Sequence, residues 1–372
     1  MPVVAGTHPK MGHVAQDFSK NPMLCYWEMT QACGLACKHC RAEAMPTAHP
    51  LELNTEESKR FLKSLLDFGD PLPHLILTGG DPLNRKDIFP LIDYANGLGL
   101  EVSITPAATS ELTNEAISKL QGHGIQSMGL SLDGSCAEKH DDIRAVPGTF
   151  ERTMEAARHC GRIGMPIQVN TLVAEETADD LPAIYELLRT SFPVMRWSLF
   201  MLISVGRGKQ LNEVSPEEGE SIMRWVFDLS QRAPFQVKTT EAPSYRRIAI
   251  EQMRASHVAT PDMKNHSVYH GFQIRDGHGI VFVSNLGDIY PSGFLPLRCG
   301  NVRVNSLVDV YRNSEIFRGL HNPDTFHGKC GACEYSHICG GSRARAFAYT
   351  GDALGTDPFC PYEPGASGHA PA

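Results

Sequence analysis

The sequence has no run approaching the ~18 uninterrupted apolar residues that a membrane helix needs, and its first twenty residues, MPVVAGTHPKMGHVAQDFSK, hold no apolar stretch of signal-peptide type. It also lacks a basic excess: 34 Lys and Arg stand against 42 Asp and Glu, for a formal charge of -8. Such a balance creates no overall positive field to draw in nucleic acid or an anionic membrane, so neither is expected as a partner. Solenoid-type repeats are missing, and so are low-complexity tracts apart from the Gly-, Ala- and Pro-containing end. These absences together read as a soluble, cytoplasmic protein.

Cysteine, by contrast, is abundant, with eleven in the chain. A reducing compartment excludes a disulfide framework as their purpose and favours metal ligation. Seven fall into two groups, Cys33, Cys37 and Cys40 near the start and Cys330, Cys333, Cys339 and Cys360 near the end. The remaining Cys25, Cys136, Cys160 and Cys299 read as small apolar residues, with Cys299 close enough in sequence to enlarge or replace part of the second group.

Short β-rich runs alternate with amphipathic segments through the first two hundred residues. Strands are predicted at 24–29, 75–77, 101–104, 126–130, 167–172 and 195–202. Helices are predicted at 55–68, 86–96, 114–123, 150–163, 179–190 and 216–230, the first with Asn54 as N-cap and Gly69 just past its end. Six β/α repeats imply an α/β fold whose parallel sheet curls into a full or partial barrel. Between Phe272 and Tyr290, turns at Asp276-Gly277-His278-Gly279 and Asn285-Leu286-Gly287-Asp288 suggest a small antiparallel hairpin, followed by a Cys- and Gly-rich remainder with little regular pattern. The expected organisation is an N-terminal segment 1–22, a core barrel 23–233, an extension 234–363 and a disordered tail 364–372.

The run Cys33-Gly-Leu-Ala-Cys37-Lys-His-Cys40 follows the first predicted strand. That is the end of a parallel β/α fold where chemistry collects. Three thiolates can hold three irons of a cubane and leave the fourth open, whereas structural zinc and electron-transfer clusters take four protein ligands. The competing reading is a zinc site completed by His39 or water. CxxxCxxC in this position resembles the signature of the radical S-adenosylmethionine (SAM) superfamily, and the resemblance extends over the first 210 residues. It implies a [4Fe-4S] cluster on Cys33, Cys37 and Cys40, with SAM chelating the open iron and giving a 5′-deoxyadenosyl radical.

Other strand ends agree with that resemblance. Thr78-Gly79-Gly80-Asp81-Pro82 matches the family's Gly-Gly-Glu-Pro motif with Asp in place of Glu. It implies that Gly79, Gly80 and Asp81 receive the SAM amino group, the glycines giving the ligand access to backbone. Ser131-Leu132-Asp133-Gly134 looks like the ribose-contacting segment, Arg144 is the candidate for the SAM carboxylate, and Asn170-Thr171 and Ser204-Val205-Gly206-Arg207-Gly208 close the fifth and sixth strands. The pattern departs at Thr105-Pro106-Ala107, where Thr-Asn-Gly is often found.

Cys330-x2-Cys333-x5-Cys339 followed by Cys360 supplies four ligands, equally suited to tetrahedral zinc. It resembles the SPASM or Twitch extension of the same superfamily, and implies one auxiliary iron-sulfur cluster of [4Fe-4S] type, fully ligated and so suited to electron relay or support. Ser292 stands where a further Cys is common, and Gly340 to Arg343 contain none. The wording around Cys339 and Cys360, with Trp27 to Cys33 and Gly300-Asn301-Val302, resembles the radical SAM enzymes of haem and haem d1 synthesis. That resemblance implies hydrogen abstraction from a tetrapyrrole propionate, with decarboxylation or loss of the chain, and a flavodoxin- or ferredoxin-type electron donor. Arg343 and Arg345, or Arg246 and Arg247, are placed as guanidinium partners for propionates or as structural ion pairs. Two other readings stand beside it: a maturase of a ribosomally made peptide, though only about two dozen residues precede the first strand for a leader-binding domain, and a zinc-stabilised binding module without catalysis.

Overall fold

The structure is a computed structural model that describes residues 16–258, 263 and 273–365. The residues 1–15, Phe272 and most of the tail predicted to be disordered lie outside the described residues. The first six strands are parallel and joined by helices: β1 Leu24–Glu28, β2 His74–Thr78, β3 Val102–Ile104, β4 Ser127–Ser131, β5 Ile167–Val173 and β6 Arg196–Met201. Between them run α1 Thr55–Ser64, α2 Ile88–Gly97, α3 Asn114–Gly122, α4 Ala137–Arg144, α5 Thr149–Ile163 and α6 Leu181–Ser191. α1 starts where its sequence demands: the Asn54 side chain accepts from Glu57 N while the Glu57 carboxylate accepts from Asn54 N, and a 3₁₀ turn carries it on to Phe68 and Gly69. α7 spans Pro216–Ser230, as the apolar period predicts.

Alternation within the strands separates two faces. Outward positions are apolar and packed on helices. Trp27 meets Phe61 of α1, and Trp197 stacks against Tyr185 of α6 and meets Trp225 of α7 edge-on. Inward positions include the polar Tyr26, Ser131, Gln168, Asn170 and Arg196. The sheet is not hydrogen-bonded into a ring, but it is strongly curled. Tyr26 on β1 feels the charge of Arg196 on β6, five strands away, a separation of about 24 Å in a flat sheet. Burial and then Glu241 push the Tyr26 phenol up to about 12, with Arg196 opposing.

The expected hairpin is present, and two other sequence expectations are corrected here. The hairpin forms across the second of the two turns, β8 Ile280–Val283 against β9 Asp288–Tyr290, and it is no separate unit: β8 pairs in parallel with β1. Asp276-Gly277 closes only an isolated bridge between Arg275 and His278. A seventh parallel strand, β7 Gln236–Thr240, adds beside β6 and is followed by α8 Tyr245–Ala255, so one ten-stranded sheet runs β10-β9-β8-β1-β2-β3-β4-β5-β6-β7, with β10 Gly300–Asn301 at its edge. The Cys-rich remainder also has regular structure, in helices Leu307–Asn313, Glu315–His321 and Arg343–Thr350. These run only seven or eight residues, too short for a periodic signal, and depend on caps from Ser306, Ser314 and Ser342 whose side chains accept backbone N–H groups. No helix among the described residues is long and apolar enough to cross a membrane.

Trp197 is fully buried, and its indole N–H donates to Thr171 Oγ1 at 2.8 Å. Trp197→Ala is expected to lower the unfolding free energy by about 3–5 kcal/mol, read from the urea midpoint, and Trp197→Phe by less. Equal losses for both would show that ring packing on α6 and α7 contributes little.

Candidate functional site

The chain leaves β1 at Glu28 and enters an irregular loop that carries all three early cysteines. Its buried peptide groups find partners on the next strand end: Met29 N donates to Thr78 O, Gly80 N to Thr30 O and Asp81 N to Ala32 O, at 2.7 to 2.8 Å. This close approach is what the two glycines permit. A Cβ on Gly79 would lie 2.5 Å from Thr30 O, and one on Gly80 2.5 Å from Ala32 O. The two glycines thus have a role the sequence did not show, in letting the backbone of the cysteine loop approach.

The loop is held from the other side by the segment after β6. Arg207 N donates to Cys40 O at 3.0 Å, its Nε to Cys37 O at 3.0 Å and its Nη1 to Ala44 O at 3.3 Å. Gly206 packs on the same stretch, where a Cβ would lie 2.5 Å from Arg41 O. The rim is thus closed by direct bonds between the loops after β1 and β6. In the sequence Arg207 is simply one residue of a strand-end segment, and nothing short of the fold shows that it grips the cysteine loop.

Cys33, Leu35 and Cys37 pack together, with Cys40, Ala44, Ala107 and Val146 against them. Each sulfur has a donor. Leu35 N reaches Cys33 Sγ at 3.3 Å, Ala44 N reaches Cys40 Sγ at 3.5 Å, and Arg144 Nη1 reaches Cys37 Sγ at 3.7 Å. Burial pushes the Cys33 thiol up to about 11, so ligation to metal is what would keep it as thiolate. Among the described residues no three His, Cys, Asp or Glu side chains converge as ligands of one metal ion do. A cubane asks for something else, one thiolate per iron at separate corners, and three gathered sulfurs with N–H donors fit that requirement. Burial, and then Arg144, push the His39 imidazole down to about 4.

Asp81 is wholly buried, with Oδ1 accepting from Leu83 N and Ala107 N and Oδ2 accepting from Thr109 Oγ1 at 2.7 Å. Burial raises its pKa while those donors oppose the rise. Asp133 and Arg144, read separately from the sequence, form one ion pair, Oδ2 to Nη2 at 2.5 Å, and Asp133 Oδ1 accepts from Leu172 N at 2.8 Å. Burial works against the Asp133 carboxylate, but Arg144 holds it below the usual range. Asp133 N also donates to His140 Nδ1 at 3.0 Å. Arg144 reaches this place on α4, a helix the sequence reading missed because it is short and polar with no side-chain cap. Ser131 and Asn170 are register partners on the inward face. Ser204 lies farther out, its N and Oγ donating to Glu213 Oε1 at 3.1 and 3.0 Å.

The late cysteines come together in a second place. Cys330, Cys333, Cys339 and Cys360 line one pocket with Arg247, Tyr335 and Tyr362. Their sulfurs too receive donors: Asp357 N and Arg343 Nη2 reach Cys330 at 3.3 Å, Gly341 N reaches Cys339 at 3.4 Å, and the amides of Tyr335 and Tyr362 serve Cys333 and Cys360. Cys299 differs, donating its S–H to Leu297 O at 3.3 Å, with burial pushing it up to about 12. The arginines considered for propionates are spent on internal partners. Arg343 donates to Ala353 O and Gly355 O, Arg345 to Glu213, Glu241 O and Leu202 O, Arg247 to Glu220 and Glu251, and Arg246 to Ile274 O and Ile338 O.

Residues 27–188 match the model of the radical SAM superfamily. The AdoMet-dependent heme synthase of Methanosarcina barkeri is 37% identical over 349 residues, covering 92% of this chain and 97% of that protein. The chain belongs to the radical SAM superfamily. It is an enzyme, and the superfamily brings a [4Fe-4S] cluster and SAM as cofactors. The AdoMet-dependent heme synthase of Oleidesulfovibrio alaskensis is 37% identical over 360 residues, covering 95% of this chain and 91% of that protein. Among solved radical SAM structures, native anSMEcpe with bound AdoMet superposes with a TM-score of 0.68 at 17% identity, over 91% of this chain and 94% of that one. That likeness supports the curled parallel sheet alone.

Since a Cβ on Gly80 would strike Ala32 O, Gly80→Ala is expected to displace the early cysteine loop while the late cysteines keep their pocket. Iron per chain after anaerobic reconstitution should then fall by about half if each site takes one cubane. Undiminished iron would show that the loop does not need this contact.

Proposed function

We propose that this radical SAM enzyme acts on an iron tetrapyrrole, abstracting hydrogen from a propionate side chain in haem-type biosynthesis, so that the chain is decarboxylated or lost. The observation that carries the reading is full-length similarity at 37% identity to two proteins named AdoMet-dependent heme synthase. The late wording around Cys339 and Cys360 supports it.

Cys33, Cys37 and Cys40 would hold the core cluster, and Gly79, Gly80 and Asp81 would place the loop and the methionine end of SAM. Ser131 with Asn170 faces the ribose side, and the Asp133–Arg144 pair lies against Cys37 without leaving a net charge there. Bound at this site, the cluster and SAM supply a 5′-deoxyadenosyl radical by reductive cleavage of the S–C5′ bond. Leu35, Ala107 and Val146 pack against the cysteines and give that side of the site an apolar lining, which favours keeping a reactive species on its substrate. Cys330, Cys333, Cys339 and Cys360 would hold one auxiliary [4Fe-4S] cluster with no open iron, suited to passing an electron. A flavodoxin- or ferredoxin-type protein in the cytoplasm would supply the reducing equivalent.

The test is an anaerobic assay of the reconstituted enzyme with SAM and dithionite, with and without iron coproporphyrin III, following 5′-deoxyadenosine and porphyrin mass together. Loss of carbon dioxide from the porphyrin in step with SAM turnover is the expected result. SAM cleavage indifferent to porphyrin would remove the tetrapyrrole reading and favour a peptide substrate. Cys37→Ala is expected to abolish 5′-deoxyadenosine formation. Cys333→Ala is expected to retain uncoupled SAM cleavage while losing porphyrin product; loss of both in a protein whose core cluster is intact would argue against a relay role.

A further inference from the structure

Across the inward face of the sheet, four polar residues stand in one transverse row. Ser131 of β4 is in register with Asn170 of β5, Asn170 with Ser198 of β6, and Ser198 with Lys238 of β7. Strands lie about 4.8 Å apart, so Lys238 sits roughly 14 Å from Ser131 along the row and roughly 10 Å from Asn170. One step below, Arg196 spans three strands on the same face, donating to Gln168 Oε1 and Gln236 Oε1 at 3.1 to 3.2 Å. Arg246, on the helix that follows β7, is close enough for its charge to be felt at Lys238.

Two cations, Arg196 and Lys238, therefore sit on adjacent strands of one face without a counter-ion among the described residues. Among the described residues, none of Arg196, Lys238 and Arg246 has an ion-pair partner, and Lys238 has no hydrogen bond from its ammonium group. Arg196 is held by the neutral oxygens of Gln168 and Gln236, which fixes its position and leaves its charge without an acidic partner, whereas Arg246 bonds Ile338 O and is felt at Cys339. Burial, then Arg196, then Arg246, push the Lys238 ammonium down to about 8. A half-buried lysine kept without a carboxylate is costly to the fold. Such a group is stabilised when an anion enters. Glu241, the acid just past β7, does not serve: burial pushes its pKa well above the usual carboxylate range, and it accepts from Ser342 Oγ.

We infer that Lys238, backed by Arg196, is the carboxylate-recognising group on the inward face of the sheet and sets the position of a substrate acid relative to the SAM end of the same row. The inference rests on the tetrapyrrole reading, which it deepens by giving one propionate a defined partner at the far side of the barrel from Ser131.

The experiment is an anaerobic absorbance titration of reconstituted wild-type enzyme and Lys238→Met with iron coproporphyrin III and with its tetramethyl ester in the same low detergent, together with a thermal melt of both proteins. Wild type is expected to bind the acid more tightly than the ester. Lys238→Met is expected to weaken the acid by roughly 10- to 100-fold, as loss of a charge-assisted contact in a desolvated site does, to leave the ester unchanged, and to melt no lower than wild type. An acid affinity unchanged in the variant overturns the inference and leaves the tetrapyrrole reading intact, and so does an equal loss for acid and ester. A lower melting temperature would make Lys238 a structural residue and overturn it as well. Failure of wild type to bind either porphyrin overturns the tetrapyrrole reading and the inference with it.

Discussion

The active end of this enzyme depends on hydrogen bonds made by backbone that has no ladder or helix of its own. Buried peptide groups must be paired, and the loop after β1 is both irregular and largely buried. Its partners are Thr78 O, the amides of Gly80 and Asp81, Ile143 O at Lys38 N, and the amide and guanidinium of Arg207. They come from the end of β2, from α4 and from the segment after β6, so the cysteine cradle exists only when the curled sheet has brought those parts together. The glycines at 79, 80 and 206 follow from the same requirement, because a side chain on any of them would occupy space that the loop's carbonyl oxygens already fill.

Charge is distributed with a similar logic. Most arginines near the two cysteine groups are turned inward and satisfied by carbonyls or a single acid. The Asp133–Arg144 pair sits beside Cys37, Arg345 with Glu213 ties the helix after Cys339 to the segment after β6, and Arg343 grips the loop that delivers Cys360. Such groups support the cysteines through geometry and through donors to sulfur, which tune a cluster as much as its ligands do. Against that background Arg196 and Lys238 on the inward face of β6 and β7 stand apart, since among the described residues neither has an acidic partner.

The extension is continuous with the core. β8 extends the sheet beyond β1, and the Glu57 carboxylate on α1 takes the Arg303 guanidinium at 2.8 Å. The strand that ends at the early cysteines is thus flanked on one side by a core strand and on the other by a strand of the extension. Packing of this kind gives the two cysteine groups a fixed relation through one sheet.

The sequence by itself determined the six β/α units, the helix boundaries where caps and glycines are strong, such as Asn54 and Gly69, and the two cysteine groups, because period, capping and ligand spacing are local properties. It also carried the family, through motifs whose meaning lies in their order along the chain. Tertiary structure decided what those residues do to one another. Gly79 and Gly80 make room for a loop fifty residues earlier, Asp133 and Arg144 are one ion pair, Arg207 clamps the cysteines, Arg343 and Arg345 are buried struts, and Lys238 shares a row with Ser131 and Asn170. These relations are set by how far the sheet curls, how its strands register and where the short helices dock, and no local pattern of side chains encodes that.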